Sequence, residues 1–223
     1  MQKFYQQIYE YFRAATQNLP AGTVLELGSG GGFLKEILPE AITSDVLPLP
    51  GCDMVISAEA LPFKDAALKA ILMVDVLHHI KNAERFFAEA QRCLAPGGKI
   101  CAVEPASTSW ARFIWKNFHH EPYRPDSDWT IPEAGPLSGA NSALPWILFV
   151  RDRQLFEHKF PHLVVTKLQD HTPFLYLLSG GVRNWSLLPG SLVRAVRFAE
   201  TTVARLGLHI GMFWSIELTK TPG

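Results

Sequence analysis

The chain has 223 residues, 48% of them hydrophobic and 19% charged, with 21 basic and 21 acidic side chains. That composition excludes a disordered polar chain, and a formal net charge of zero leaves no electrostatic footprint for nucleic acid. Cys52, Cys93 and Cys101 are odd in number and lack C-x-x-C spacing, which excludes a disulfide framework or a cysteine metal site.

The amino terminus, M-Q-K-F-Y-Q-Q-I-Y-E, has no apolar signal core. No stretch reaches the roughly 18 apolar residues of a spanning helix, so a soluble cytoplasmic protein is expected. Residues 2–16 follow helical spacing through Phe4, Tyr5, Ile8, Tyr11, Phe12 and Ala15. This reads either as a helix packed on a core or as a lid whose tyrosines face a ligand. Pro20-Ala21-Gly22 then punctuates the chain.

Strands are predicted at Val24–Leu27, Ala41–Asp45, Asp53–Ser57, Ala70–Asp75 and Lys99–Glu104, and helices at Gly32–Leu38 and Asn82–Leu94. In the second helix Ala83, Phe86, Phe87, Ala90 and Leu94 form one stripe, Asn82 can cap the start, and Pro96-Gly97-Gly98 stops it. Strands alternating with helices imply parallel crossovers and a doubly wound α/β sheet. The links between the second, third and fourth strands are so short that their crossover helices must be vestigial or replaced by loop.

After Pro105 the texture changes. Trp110, Phe113, Ile114 and Phe118 predict a short helix, and Glu121–Pro145 follows with five prolines and two glycines. Val164–Lys167 and Met212–Leu218 are further strands, and Ser191 is placed to cap a helix ending at Gly207. That helix should bury Leu192, Ala195, Val196, Ala199, Val203 and Leu206 and show Arg194, Arg197 and Arg205 outside.

The chemistry concentrates in Val24-Leu25-Glu26-Leu27-Gly28-Ser29-Gly30-Gly31-Gly32-Phe33. Glycines after a strand allow a tight turn and close approach of a ligand at the strand's carboxyl end. A dinucleotide loop wants a third glycine where Phe33 stands, and a Walker loop wants Gly-Lys-Ser or Gly-Lys-Thr. Glu26 beside the hollow would repel pyrophosphate and suit a cation.

Glu-x-Gly-x-Gly-x-Gly resembles the first motif of class I S-adenosylmethionine-dependent methyltransferases, and the likeness continues in order. Asp45, 17 positions after Gly28, stands where the family's acid holds the ribose hydroxyls. Ala58-Glu59-Ala60-Leu61-Pro62-Phe63 looks like the adenine-flanking segment of the small-molecule, type 11-like branch. Val74-Asp75-Val76-Leu77-His78-His79 resembles the fourth-strand motif bordering the reacting methyl, and Leu94-Ala95-Pro96-Gly97-Gly98-Lys99 the turn into the fifth strand. The likeness spans roughly residues 20–105. It departs at Ser57, where the family often has Asp for the adenine amino group, and at residues 46–52, which replace a helix.

The resemblance implies a seven-stranded, mostly parallel Rossmann-like sheet with an antiparallel last strand and an insertion after the fifth. The domain then divides into an N-terminal helix or lid (1–19), a cofactor-binding core (20–105), an insertion that caps the acceptor (106–160) and a C-terminal part completing the sheet (161–223). It implies S-adenosylmethionine as cofactor, held by Glu26, Gly28, Ser29, Gly30, Gly32, Asp45, Ser57, Ala58, Glu59 and Asp75. His79 and His119 are the candidate bases, against a plain role in holding loops. His119-His120-Glu121 lacks a spaced third ligand, so no metal is expected.

The expected acceptor is a small molecule, apolar, lipid-linked or glycosyl, met by the aromatic residues Trp110, Phe113, Trp115, Phe118, Tyr123, Trp129 and Trp146. Several of these rings would serve equally well in a satellite core. A membrane-surface contact through helix 110–118 and the three arginines, and a non-catalytic cofactor-binding or partner-docking protein, stay open as alternatives.

Overall fold

The structure is a computed structural model that describes residues 2–132, 139–181 and 189–222. Seven strands form one sheet: β1 (Thr23–Leu27), β2 (Ile42–Asp45), β3 (Met54–Val55), β4 (Leu68–Val74), β5 (Leu94–Pro105), β6 (Leu163–His171) and β7 (Phe213–Lys220). Their order is β3-β2-β1-β4-β5-β7-β6. β1 to β5 pair in parallel, and β7 runs antiparallel to both β5 and β6. This is the mostly parallel class I arrangement.

β4 reads Leu-Lys-Ala-Ile-Leu-Met-Val because both of its faces are covered, and Ala70 through Met73 are fully buried. Two layers cover it. On one side α1 (Gln2–Thr16) buries Phe4, Ile8, Tyr9 and Phe12. The helical spacing puts Tyr5, Tyr11 and Ala15 on that stripe, but these flank the core and Tyr9 takes the central place. On the other side α2 (Ala83–Cys93) buries Ala83, Phe86, Phe87 and Ala90, and the Asn82 side chain accepts from the Arg85 N–H at 3.0 Å as the cap.

Two expected helices differ. Gly32–Leu38 forms only a 3₁₀ turn at Leu34–Glu36, since the glycines turn the chain after β1 and Pro39 follows at once. Among the described residues no helix joins β2, β3 and β4. At the carboxyl end, α7 (Val193–Arg205) follows a 3₁₀ turn at Gly190–Leu192, has no side-chain cap from Ser191 and buries none of its described residues. On its expected inner face only Val196 and Val203 are half-buried, and Leu206 is 69% exposed.

The insertion opens with α3 (Ser109–Phe118), capped by the Thr108 hydroxyl. It returns through α4 (Leu144–Trp146), a π turn (Ile147–Arg151) and α5 (Arg153–Lys159) before β6 and α6 (Leu175–Leu178). Residues 133–138 of the proline-rich stretch lie outside the described residues. Phe87 of α2 meets Phe149, Phe156 and Phe160 of the insertion at ring-centre distances of 6.0, 4.9 and 5.7 Å. Trp115 and Trp129 are buried with them, so part of the aromatic set is core, whereas Phe113 and Phe118 are more than half exposed.

Candidate active site

The site is built where β1 and β4 end. Gly28 and Gly30 adopt left-handed backbone angles, φ +66° and +52°, that turn the chain sharply after β1. A Cβ at Gly30 or Gly31 would meet nothing within 4 Å, so the loop faces open space there. Gly32 serves packing instead. A Cβ there would stand 2.5 Å from the Tyr9 hydroxyl, and the missing side chain makes room for that ring. Ser29 stitches the loop to β2, its N–H donating to the Ser44 carbonyl at 2.8 Å and its hydroxyl accepting from the Ser44 N–H at 3.1 Å.

Glu26 is 2% exposed, and its Oε2 has no hydrogen-bond partner among the described residues. Burial pushes its carboxyl up to about 7, against the opposing pull of the Ser29 and Tyr9 hydroxyls. The buried carboxyl thus has an acceptor oxygen left over, next in sequence to an uncovered glycine loop.

A cavity of about 220 Å³ continues from the loop and is lined by Gly28, Asp45, Ser57, Ala58, Glu59 and Asp75 together with His79. Asp45 accepts the Gly30 N–H on Oδ2 at 3.1 Å and the Leu47 N–H on Oδ1 at 3.0 Å, which sets the rim. Ser57 accepts from the Glu59 N–H at 3.3 Å, and Glu59 in turn accepts from the Asn82 N–H at 3.1 Å, tying the segment to the start of α2. Asp75 sits at φ +55°, an angle Asp tolerates better than most residues, and burial first of all pushes its carboxyl up to about 7. Of the cofactor residues expected from sequence, six line this cavity; Glu26, on β1, and Ser29, Gly30 and Gly32, on the loop after it, are outside that lining.

Beyond Asp75 the chain makes a 3₁₀ turn, Leu77–His79, and meets the insertion. Glu104, fully buried on β5, accepts the N–H groups of Val76 and Leu77 at 2.9 and 2.7 Å and lies 2.6 Å from His78 Nδ1. His78 Nε2 and His79 Nε2 lie 3.2 and 3.3 Å from the two oxygens of Glu121. His79 Nδ1 is 3.2 Å from the Gly139 carbonyl. Burial alone would lower the His78 imidazole, but the charges of Glu104 and Glu121 outweigh it and hold the ring up to about 10. The same histidines hold Glu121 well below the usual carboxylate range against its burial.

His119 stands apart from the cavity. Its ring packs edge-on to Trp115 at 5.0 Å, and its Nδ1 accepts the Glu121 N–H at 3.3 Å. His120 is 83% exposed. Sequence reasoning missed Tyr9 and Glu104, and met Glu121 only as the end of His119-His120-Glu121. A lone carboxylate inside the apolar run Ile-Cys-Ala-Val-Glu was the available signal for Glu104; Glu121 was read beside His119 and His120, because only the fold carries it to His78 and His79.

Residues 25–102 match a family model described as a methyltransferase domain. A phthiotriol/phenolphthiotriol dimycocerosates methyltransferase of Mycobacterium tuberculosis is 36% identical over 107 residues, which is 40% of this chain and 40% of that protein. A Mycobacterium leprae counterpart is 32% identical over 113 residues, 42% of each chain. The match thus spans about two fifths of the curated relatives' length. Among solved structures, geranyl diphosphate C-methyltransferase from Streptomyces coelicolor, in complex with Mg²⁺, geranyl diphosphate and S-adenosyl-L-homocysteine, superposes with a TM-score of 0.56 at 15% identity, covering 99% of this chain and 81% of that one. A SAM-dependent methyltransferase from Thermotoga maritima gives 0.53 at 18% identity, covering 98% and 97%. At such identities the likeness is one of fold.

Proposed function

We propose, on the premise that residues 25–102 are a methyltransferase domain set in a class I sheet, that the chain moves a methyl group from S-adenosylmethionine to a small-molecule acceptor. The observation that carries this reading is the partnerless Oε2 of buried Glu26 beside the open hollow at Gly30 and Gly31. A sulfonium nucleoside with an ammonium group and no phosphate fits that hollow; a pyrophosphate does not.

In this reading Glu26 holds the ammonium, Asp45 the ribose hydroxyls, and Ser57, Ala58 and Glu59 border the adenine. Ser57 offers a neutral acceptor, weaker than a carboxylate. The bound cofactor supplies an already activated methyl, so the protein's work is alignment, for which effective molarities reach about 10⁵–10⁸ M in the best cases. Asp75 and His79, on the cavity wall, are the groups set to orient an acceptor or take its proton. His119 is 3.7 Å from Glu121 and serves as a positioning residue behind it.

The insertion 106–160 is the acceptor cap in this scheme. The Asn141 N–H donates to the His78 carbonyl at 2.9 Å, which fastens the cap over the turn after β4. The mycobacterial relatives' named substrates and the half-buried rings of Trp110, Tyr123 and Trp146 favour an apolar acceptor rather than nucleic acid. The three cysteines are all free, in keeping with a cytoplasmic setting.

Calorimetry with S-adenosylmethionine tests the proposal. Saturable binding weakened at least about tenfold by Asp45→Ala is expected; no saturable binding at millimolar ligand overturns it. Labelled cofactor with a panel of apolar acceptors then separates transfer from mere binding.

A further inference from the structure

We propose that His78, His79 and Glu121 form a binding site for one divalent transition-metal ion at the methyl end of the cavity. The three side chains each offer a ligand atom, and these atoms lie within 4.8 Å of one another.

Four observations carry the site. First, both histidines have the ring nitrogen that would not bind metal already engaged. His78 Nδ1 lies 2.6 Å from Glu104 Oε2, while Glu104 Oε1 accepts the Val76 and Leu77 N–H groups, so that nitrogen is taken up by the carboxyl behind it. His79 Nδ1 faces the Gly139 carbonyl, a pure acceptor, which places its proton there. Both Nε2 atoms are thereby directed at Glu121; without metal the His78 Nε2–H donates to that carboxylate, and an ion would take the place of that proton. Carboxylate or carbonyl partners behind ligating imidazoles are the arrangement that orients metal ligands.

Second, the spacing suits an ion better than direct hydrogen bonds. The Nε2–oxygen distances are 3.2 and 3.3 Å. Charge-assisted N–H to carboxylate bonds run about 2.7–2.9 Å. Ligands at the roughly 2.0–2.1 Å bond lengths of zinc stand about 3.4 Å apart in a tetrahedron.

Third, the ligands rest on separate rigid supports. His78 is buried on the turn that Glu104 clamps, and Glu121 follows α3, at 18% exposure. Closing the set asks for His79, the more exposed histidine at 25%, to move toward the other two ligands.

Fourth, the site keeps an open side. His79 also lines the cavity where Asp75 lies, so positions not taken by protein face that cavity. Two imidazoles and one carboxylate with positions left free suit zinc or a similar borderline ion rather than magnesium, which prefers oxygen ligands.

The consequence for chemistry rests on the methyltransferase reading; the metal site itself does not. An acceptor hydroxyl bound to the ion would lose its proton more readily, Asp75 being the nearby group to receive it. The acceptor oxygen would then form its bond to the methyl carbon as the carbon–sulfur bond breaks, the electron pair leaving on sulfur. The acceptor class this selects is an alcohol or phenol.

The test is a Co²⁺ titration of the full chain after treatment with a chelator, read by the visible absorption of the bound ion and by metal content. One equivalent bound is expected, displaced by Zn²⁺. His79→Ala and Glu121→Gln should each weaken binding by at least about tenfold, whereas His120→Ala, at an exposed ring, should leave it unchanged. Absence of saturable Co²⁺ binding at millimolar ion, or binding that survives both substitutions, overturns the site. Calorimetry with S-adenosylmethionine on the same samples keeps the readings apart. Cofactor binding without cobalt sinks the metal site alone, and cobalt binding without cofactor sinks the methyltransferase reading alone.

Discussion

Gly28 of the loop after β1 presses against Val76 after β4: a Cβ at position 28 would stand 2.4 Å from Val76 Cγ2. The neighbouring Gly30 shares its left-handed backbone but faces open space. The two glycines therefore separate folding from binding. Gly28→Ala should cost about 2–4 kcal/mol, from backbone strain plus overpacking. Val76→Ala in the same chain should recover part of it. Gly30→Ala should cost only the backbone strain, about 1–2 kcal/mol, yet raise the Kd for S-adenosylmethionine by at least about tenfold. Urea titrations and calorimetry on the three variants check this.

Cofactor affinity should depend on pH through Glu26. Its carboxyl is held up to about 7 by burial, and a cationic ligand needs it ionised. Binding should weaken by about tenfold for each pH unit below 7, since the ligand then has to displace a proton. Glu26→Gln should bind weakly and flatten the profile. A series of calorimetric titrations from pH 5.5 to 7 at fixed ionic strength reads both effects.

His171, at the end of β6, should make the fold acid-sensitive. Burial, with the charge of Lys167 adding to it, lowers its imidazole to about 4. Its Nδ1 pairs with the Thr172 hydroxyl at 2.8 Å, while Nε2 is buried without a partner among the described residues. The unfolded chain binds a proton near 6.5 and the folded one near 4, so the contribution is complete above about 6.5 and is lost as pH falls toward 4. Glu26 has the opposite sign, because a raised carboxyl favours the folded state at low pH. The comparison is therefore between the wild type and His171→Asn: the variant should lose less stability between pH 7 and 5 in urea melts.

Phe87 joins the cofactor half to the insertion. Its ring is fully buried and meets Phe156 edge to face at 4.9 Å. Phe87→Ala should cost about 3–5 kcal/mol, with one cooperative transition retained if the insertion and the sheet share that core. A separate early transition, seen by thermal melting at two wavelengths, would show that they do not.

Much of this site can be read in one dimension. Glu26, Gly28 and Gly30 lie within five residues, and a strand that ends in glycines has few choices of backbone, so the loop and its cationic preference follow from local rules. Asp45 falls at the end of the next strand for the same reason. The vestigial crossovers were legible too, since links that short cannot hold a strand and a helix together. α7 was misread because a helix stripe records the capacity to bury a face, and here the described residues leave that face at most half-buried.

The glycine hollow and the acid beside it were thus determined by the sequence alone, because each depends on neighbours a few residues apart. The meeting of His78 with Glu121, 43 positions away, was decided only by the tertiary structure. The turn that Glu104 clamps and the cap that Asn141 fastens to it bring the two together. No local spacing records a contact made by the closing of a long insertion onto a sheet edge.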